Sequence, residues 1–282
     1  MTESLAVTNR QEANVGNLGD ILKHGALVAL AEMLRRRLGS GPVNYLDTHA
    51  FRLRARLPNA GEWQTTVDRL RRRHPAYDRY LEVEEPEIAT GGYLCSVGLA
   101  ARTLGTCRMF LAESHGPTRR MLEAQLAGAR LMPTLLLDDM HTFPEQDLVG
   151  HAGDLLALID PFQQNEQEWR ETWMSASAAV GGLHRAGANG VVLGFQFRRQ
   201  GEAPLWLEPP PGFVGPLAQA GCRPYHLATY AAEGIAAEVT ATLLELAWST
   251  SPSSAVLTPF FFSHALSLPV VRRGGQPPSD CV

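Results

Sequence analysis

The sequence predicts an α/β fold: a mostly parallel sheet with helices on both faces. Short apolar runs of strand length alternate with stretches of helical periodicity. Several of those runs close on or beside a carboxylate, at Asp47, Glu113, Asp138 with Asp139, and Asp160. The chain has 282 residues, 45 % hydrophobic and 19 % charged, enough to bury a large core without staples. Strands alternating with helices imply a parallel sheet covered on both sides. Ligands of such sheets sit beyond the carboxyl ends of the strands. One Asp at a strand end is ordinary turn chemistry; several in register predict a shared functional rim.

The elements follow in order. From Asp20 to Leu38, Ile21, Leu22, Ala26, Leu30, Met33 and Leu34 recur at helical spacing, and Gly39 to Pro42 end the helix. Val43 to Asp47 reads as the first parallel strand. A small helical insertion is expected over about residues 51–90. It carries Arg52, Arg54, Arg56, Arg69, Arg71, Arg72, Arg73 and Arg79 with Trp63, Tyr77 and Tyr80 among them. Those arginines make either a solvated basic face or a docking patch for an acidic partner, with Arg69, Arg71, Arg72 and Arg73 at its centre. Beyond Gly92 the rhythm resumes. Helices are expected at Leu99–Leu104, Pro117–Ala129 and Glu166–Leu183, and strands at Arg108–Glu113, Thr134–Asp139, Leu155–Pro161 and Gly190–Phe195. Pro209 to Gly212 marks a loop, and Glu233 to Trp248 fits helix or strand. The organisation expected is one domain over residues 1–271 and a disordered Gly/Pro/Ser-rich tail over 272–282.

Composition narrows the function. The net charge is −4 and the pI about 6.1, without the overall basic surplus common in proteins that hold RNA through its phosphates. Cys95, Cys107, Cys222 and Cys281 lack metal or disulfide spacing. No stretch is apolar and long enough to span a membrane, and the N-terminus has no signal-peptide h-region. A cytoplasmic protein is expected. GxSxG, GxxxxGK[ST] and HExxH motifs are absent, and His141 and His151 have no partners at metal spacing; no metal site is expected.

Gly16-Asn17-Leu18-Gly19-Asp20-Ile21-Leu22-Lys23-His24, followed by Tyr45-Leu46-Asp47-Thr48-His49-Ala50, resembles the RlmJ-type 23S rRNA adenine-N6 methyltransferases, with their GNxADVLKH-like helix start and YLDTHAGAG-like strand and loop. The likeness continues through Tyr93 to Ala100, Leu111 to His115 and Leu158 to Phe162, and fades after about Phe195. It implies a Rossmann-like class I methyltransferase fold with a helical insertion after the first strand. It also implies that Lys23, His24, His49 and Ser96 lie by the amino-acid end of S-adenosylmethionine, with Asn17 and Asp47 in the same site. Glu113 would hold the ribose hydroxyls, and Asp138 or Asp139 the adenine. Asp160 would replace the acid of the catalytic DPPY motif, which orients the target amine, and Phe162 could stack on a planar group.

The departures matter equally. Where the family has glycines after Ala50, this chain has Phe51-Arg52-Leu53-Arg54. Glycine lets a backbone turn tightly and approach a cofactor, so binding of S-adenosylmethionine is expected to be absent or weak. DPPY has become Asp160-Pro161-Phe162-Gln163, and the PGSP turn Leu94-Cys95-Ser96-Val97. The reading that follows is a repurposed enzyme for a small, charged, amine-bearing substrate. Asp160, Lys23 and His24 would be catalytic, with Asn17, Asp47, His49, Ser96, Glu113, Asp138, Asp139 and Phe162 binding. One such chemistry is intramolecular SN2 closure of an aziridine or azetidine with sulfate as leaving group, in specialised metabolism. An acidic carrier protein or second subunit could present the substrate. The alternatives are an S-adenosylmethionine-dependent rRNA methyltransferase with RNA as partner, and a non-catalytic subunit that binds an acidic partner.

Overall fold

The computed structural model describes residues 14–39, 41–58, 63–65, 67, 77–142, 151, 153–161, 166–197, 208–222 and 225–248. Its main sheet has seven strands in the order β5-β4-β1-β6-β7-β9-β8. They are β1 (Val43–Asp47), β4 (Cys107–Ala112), β5 (Leu135–Leu137), β6 (Asp154–Ile159), β7 (Gly190–Phe197), β8 (Phe213–Cys222) and β9 (Tyr225–Ala232). The first five run parallel; β9 pairs antiparallel with β7, and the edge strand β8 pairs antiparallel with β9, so β9 alone runs against the other six. This is the expected Rossmann-like, class I methyltransferase type of sheet. In the central strands β1 and β6 every residue is buried, as a strand covered on both faces requires.

Helix α1 (Leu18–Leu38) packs against β6, β7 and β9 and against three further helices, α2 (Asp78–Ile88), α3 (Ser96–Leu104) and α6 (Ala236–Trp248). Its burial runs almost around the axis, from Ile21, Leu22 and Leu27 to Leu30, Met33 and Leu34. That is the pattern of a helix enclosed by neighbours. α4 (Gly116–Gly128) leads from β4 to β5, and α5 (Glu166–Arg185) joins β6 to β7. The β1-to-β4 and β6-to-β7 crossovers step in opposite directions along the sheet, so the right-handed rule puts α3 and α5 on opposite faces.

The sequence predicts a helical insertion, and the structure corrects this: a strand pair frames its helix. The insertion opens on β2 (Arg54–Arg56), which pairs antiparallel with β3 (Gly92–Leu94), and holds α2 (Asp78–Ile88) between them. The buried Glu87 fastens it, accepting from Arg54 at 2.9 Å and from Arg102 of α3 at 2.8 Å. Glu233 to Trp248 resolves as a short 3-10 turn and then helix α6. The β8–β9 hairpin was not foreseen. The expected tail over 272–282 lies outside the described residues.

The segment after β1 is braced on every side. The Ala50 N–H donates to Ala112, the Cys95 N–H to Leu53, and Gln125 of α4 bonds to the backbone of Leu53 and Arg54. Gly98 makes this possible, since a Cβ there would stand 2.3 Å from the Leu53 carbonyl oxygen. Gly98→Ala should therefore force the loop off α3 and cost about 1–3 kcal/mol of unfolding free energy, the range for overpacking, measured by urea denaturation. An unchanged midpoint would show that the contact is soft.

Candidate functional site

The parallel strands β1, β4, β5 and β6 bring Asp47, Glu113, Asp138 and Asp160 to one rim of the sheet, as their register requires. Asp160 follows Ile159, the last residue of β6, and Lys23 reaches it from the second turn of α1. Lys23 Nζ donates to Asp160 Oδ2 at 2.5 Å and to Asp20 Oδ1 at 2.9 Å. The side chains are only 13 % exposed for Lys23 and 20 % for each Asp, so solvent screens these pairs weakly. Burial opposes the ammonium of Lys23, yet its two carboxylates outweigh that and raise its pKa, keeping it charged. Burial likewise pushes the Asp160 carboxyl up, and Lys23 draws it back.

Lys23 is the only lysine among the chain's 25 lysine and arginine residues. A lone lysine is a signal visible in the sequence itself. Two further features were missed. Asp20 is the second carboxylate on Lys23. An aromatic wall also stands beside the pair: Lys23 Nζ lies 5.1 Å from the centre of the Phe195 ring, within cation–π range. Phe195 stacks on Tyr225 at 6.1 Å, and Tyr225 meets Phe197, which is 51 % exposed, at 5.8 Å. Phe195 and Phe197 share a face at the end of β7 because strand side chains alternate.

Other expected site residues have structural partners. Asn17 caps α1, its Oδ1 accepting from the Asp20 N–H at 2.9 Å. His24 is buried, with Nδ1 3.0 Å from the Tyr93 hydroxyl, itself 2.9 Å from that of Tyr80. Burial, then Lys23, depresses it to about 3, so it is neutral. Asp47 is a hub: Oδ2 accepts from Ser96 at 2.6 Å and Tyr45 at 2.7 Å, and Oδ1 from the His49 N–H at 3.1 Å. His49 is held near 4 by burial and by the charge of His141. That link places His141, Asp139 and Ser175 in one neighbourhood, with His141 Nδ1 2.7 Å from the Ser175 hydroxyl. Asp138 is exposed and paired loosely with Arg119 at 3.6 Å. Phe162 and Arg69, Arg71, Arg72 and Arg73 lie outside the described residues. Of the insertion's other arginines, Arg54 pairs with Glu87, and Arg79 with Glu32 and Glu82.

At the start of the braced loop, Phe51 has φ 20°, at the margin of the region that favours glycine. Arg52 is 5 % exposed, with its guanidinium 4.9 Å from the Phe51 ring centre. Its charge acts on both Cys95 and Glu113. Burial carries Glu113 up to about 7, against the Oε1 bond from the His115 N–H and the attraction of Arg52. Arg52 thus acts on Glu113, and Phe51 packs against the cluster of Val15, Ala55, Leu57, Tyr93 and Cys95, where the resemblance expects bare glycine backbone. No group of three or more His, Cys, Asp or Glu able to hold a metal occurs among the described residues, nor does a helix long and apolar enough to cross a membrane.

No protein-family model matches the chain, and no curated protein does. Among solved structures, a Legionella pneumophila protein of the DUF519 family superposes with a TM-score of 0.58 at 16 % identity, over 85 % of this chain and 95 % of its own. That likeness shows a shared fold. A candidate methyltransferase of Escherichia coli, yhhF, reaches a TM-score of only 0.36 at 11 % identity, over 72 % of this chain and 85 % of its own, too low to add weight.

Glu113 gives a pH test. Its folded pKa is about 7, above the ordinary 4.5, so the folded state holds the proton more tightly. The penalty for its charge is absent below about pH 4.5, grows as pH rises, and is complete above about 7. Glu113→Gln keeps an acceptor for His115 and should stabilise the protein at pH 8 by on the order of 2 kcal/mol. The gain should vanish near pH 4.5. Equal effects at both pH values, by denaturant titration, would contradict the buried-carboxyl assignment.

Proposed function

We propose that this chain is an enzyme on a methyltransferase-like scaffold that acts on a small, charged, amine-bearing substrate without S-adenosylmethionine. The observation that carries the reading is the largely buried Lys23–Asp160 pair at the carboxyl rim, made by the chain's single lysine. A carboxylate beside an ammonium complements a molecule that bears an amine next to an anionic leaving group. Intramolecular SN2 closure suits it. The substrate ammonium gives one proton to Asp160, the nitrogen lone pair so freed forms the new N–C bond, and the C–O bond to sulfate breaks. Sulfate leaves with that bonding pair toward the Lys23 ammonium, and the ring ammonium sheds one of its two protons to solvent. Orientation of nucleophile and leaving group lowers such a barrier, and the raised Asp160 carboxyl is a better proton acceptor than an exposed Asp.

The buried Arg52 and the braced Phe51 loop support the absence of S-adenosylmethionine. We read the chain as a divergent relative of the RlmJ-type enzymes, with a role in specialised metabolism in the cytoplasm. Arg69 to Arg73 would receive an acidic carrier protein or second subunit. The second reading, S-adenosylmethionine-dependent methylation of rRNA adenine, is favoured by one observation: Glu113 remains buried at the end of β4, where ribose is held in dinucleotide folds.

Two measurements separate these readings. Calorimetry with S-adenosylmethionine should give no tight complex; micromolar binding would move the assignment to the second reading. Vicinal amino sulfates, with 2-aminoethyl sulfate as the simplest, should release sulfate and yield the ring. Asp160→Asn should slow that release at least about tenfold, because a hydrogen bond to a buried charged group is worth ~1.5–3 kcal/mol. Its melting should fall only modestly, since Asn keeps an acceptor and Lys23 keeps Asp20. Undiminished turnover in Asp160→Asn would remove the site from the chemistry.

A further inference from the structure

The amine reading raises a difficulty that the geometry answers. Lys23 occupies Asp160 Oδ2 at 2.5 Å, so a substrate ammonium that takes that oxygen must displace it. Stripping Lys23 of all partners in so buried a place would be costly. Asp20 supplies the alternative. Its Oδ1 already accepts from Lys23 at 2.9 Å, and its Oδ2 is fixed by the Gly16 N–H at 2.9 Å. Asn17, accepting from the Asp20 N–H, locks the turn that carries it. Asp20 and Lys23 are three residues apart on one helix, so their pairing survives any loss of Asp160. The Phe195 ring backs the ammonium from the sheet side.

The charges also leave room for a second cation. Asp20 and Asp160 carry two negative charges and Lys23 one positive, so the cluster is one cation short of neutral. We propose that Asp20 is a positioning residue that parks Lys23 when the substrate's ammonium takes its place on Asp160. The empty-handed site is then held ready by an internal ammonium, and substrate binding exchanges one cation for another on Asp160. Released from Asp160 but tethered to Asp20, Lys23 stays within the site to meet the departing anion. This rests on the amine reading above. If Asp20 were only part of the α1 cap, an amide would serve equally well.

The single lysine makes the test direct. Protein labelled with 15N-lysine has one side-chain ammonium resonance, and methylammonium chloride is the probe. In the wild type, methylammonium should bind and shift the Lys23 Nζ signal in a saturable way. Asp20→Asn keeps an acceptor for the Gly16 N–H, so it should fold. It should bind methylammonium at least about tenfold more weakly, losing one charged partner, and Asp20→Glu should restore most of the affinity. Binding unaltered in Asp20→Asn, or a Lys23 signal that stays fixed while methylammonium saturates, would overturn the parking role alone. Methylammonium that fails to bind the wild type, or that binds Asp160→Asn as it binds the wild type, would overturn the amine reading beneath it.

Discussion

The ion pair between Lys23 and Asp160 joins the first helix to the central strand β6, and the site depends on that join. It is an expensive way to attach a helix. Removing two charges from water costs several kcal/mol per ion, and well-packed apolar residues in their place are often as stable or more so. Helix α1 has no need of the pair for adhesion, since Ile21, Leu22, Leu27, Leu30 and Leu34 already bury it against its neighbours. A charged contact kept where an apolar one would hold better argues for use. The neighbouring carboxylates of Asp47 and Glu113 strengthen the point, for burial raises the pKa of both.

The rest of the rim divides into groups that hold the frame and groups that remain available. Asp47 is fully engaged by Ser96, Tyr45 and the His49 backbone, and so ties β1 to the start of α3. His24 closes a buried chain of hydroxyls with Tyr93 and Tyr80, which fixes α1 against the insertion. These contacts make the site rigid. Phe195 faces the Lys23 ammonium, Tyr225 stacks on Phe195, and the exposed Phe197 meets Tyr225. Such a surface beside a charged cluster suits a molecule with a cationic group on an apolar body.

Much of this frame was legible in the sequence, for reasons that can be named. α1 is long, and β1, β4, β6 and β7 are rich in apolar residues, so their pattern is strong, and the acids at the strand ends gave the rim. The hairpin β8–β9 was illegible because Gly215, Pro216 and Gly221 break its alternation, and a register shift between Val214 and Ala218 adds an irregularity. The strand pair in the insertion was hidden because β2 and β3 span only three residues each and meet across a long gap in sequence. Within the GNxxDxLK segment the roles proved mixed. Asn17 read as a ligand and is a cap, whereas Asp20 lies in the same capping turn and also touches the lysine. Periodicity cannot tell those two apart, because capping and catalysis draw on the same short polar side chains. Tyr225 could not be found at all without the fold that lays it over the first turn of α1, where Gly19 leaves room for its ring.

The choice of lysine at position 23 bears on what the site does. Elsewhere in this chain every basic side chain is arginine. An arginine at 23 would offer a planar fork suited to one carboxylate held bidentately, and could settle there. Lysine presents a compact charge with three rotatable donors, able to touch Asp20 and Asp160 at once and to give up one without rebuilding its contact to the other. A site that only stored a charge would gain from the fork. One that must release and reform a contact during each cycle is better served by the ammonium. A lone ammonium shared by two carboxylates is the kind of cation that can give up one partner and keep the other.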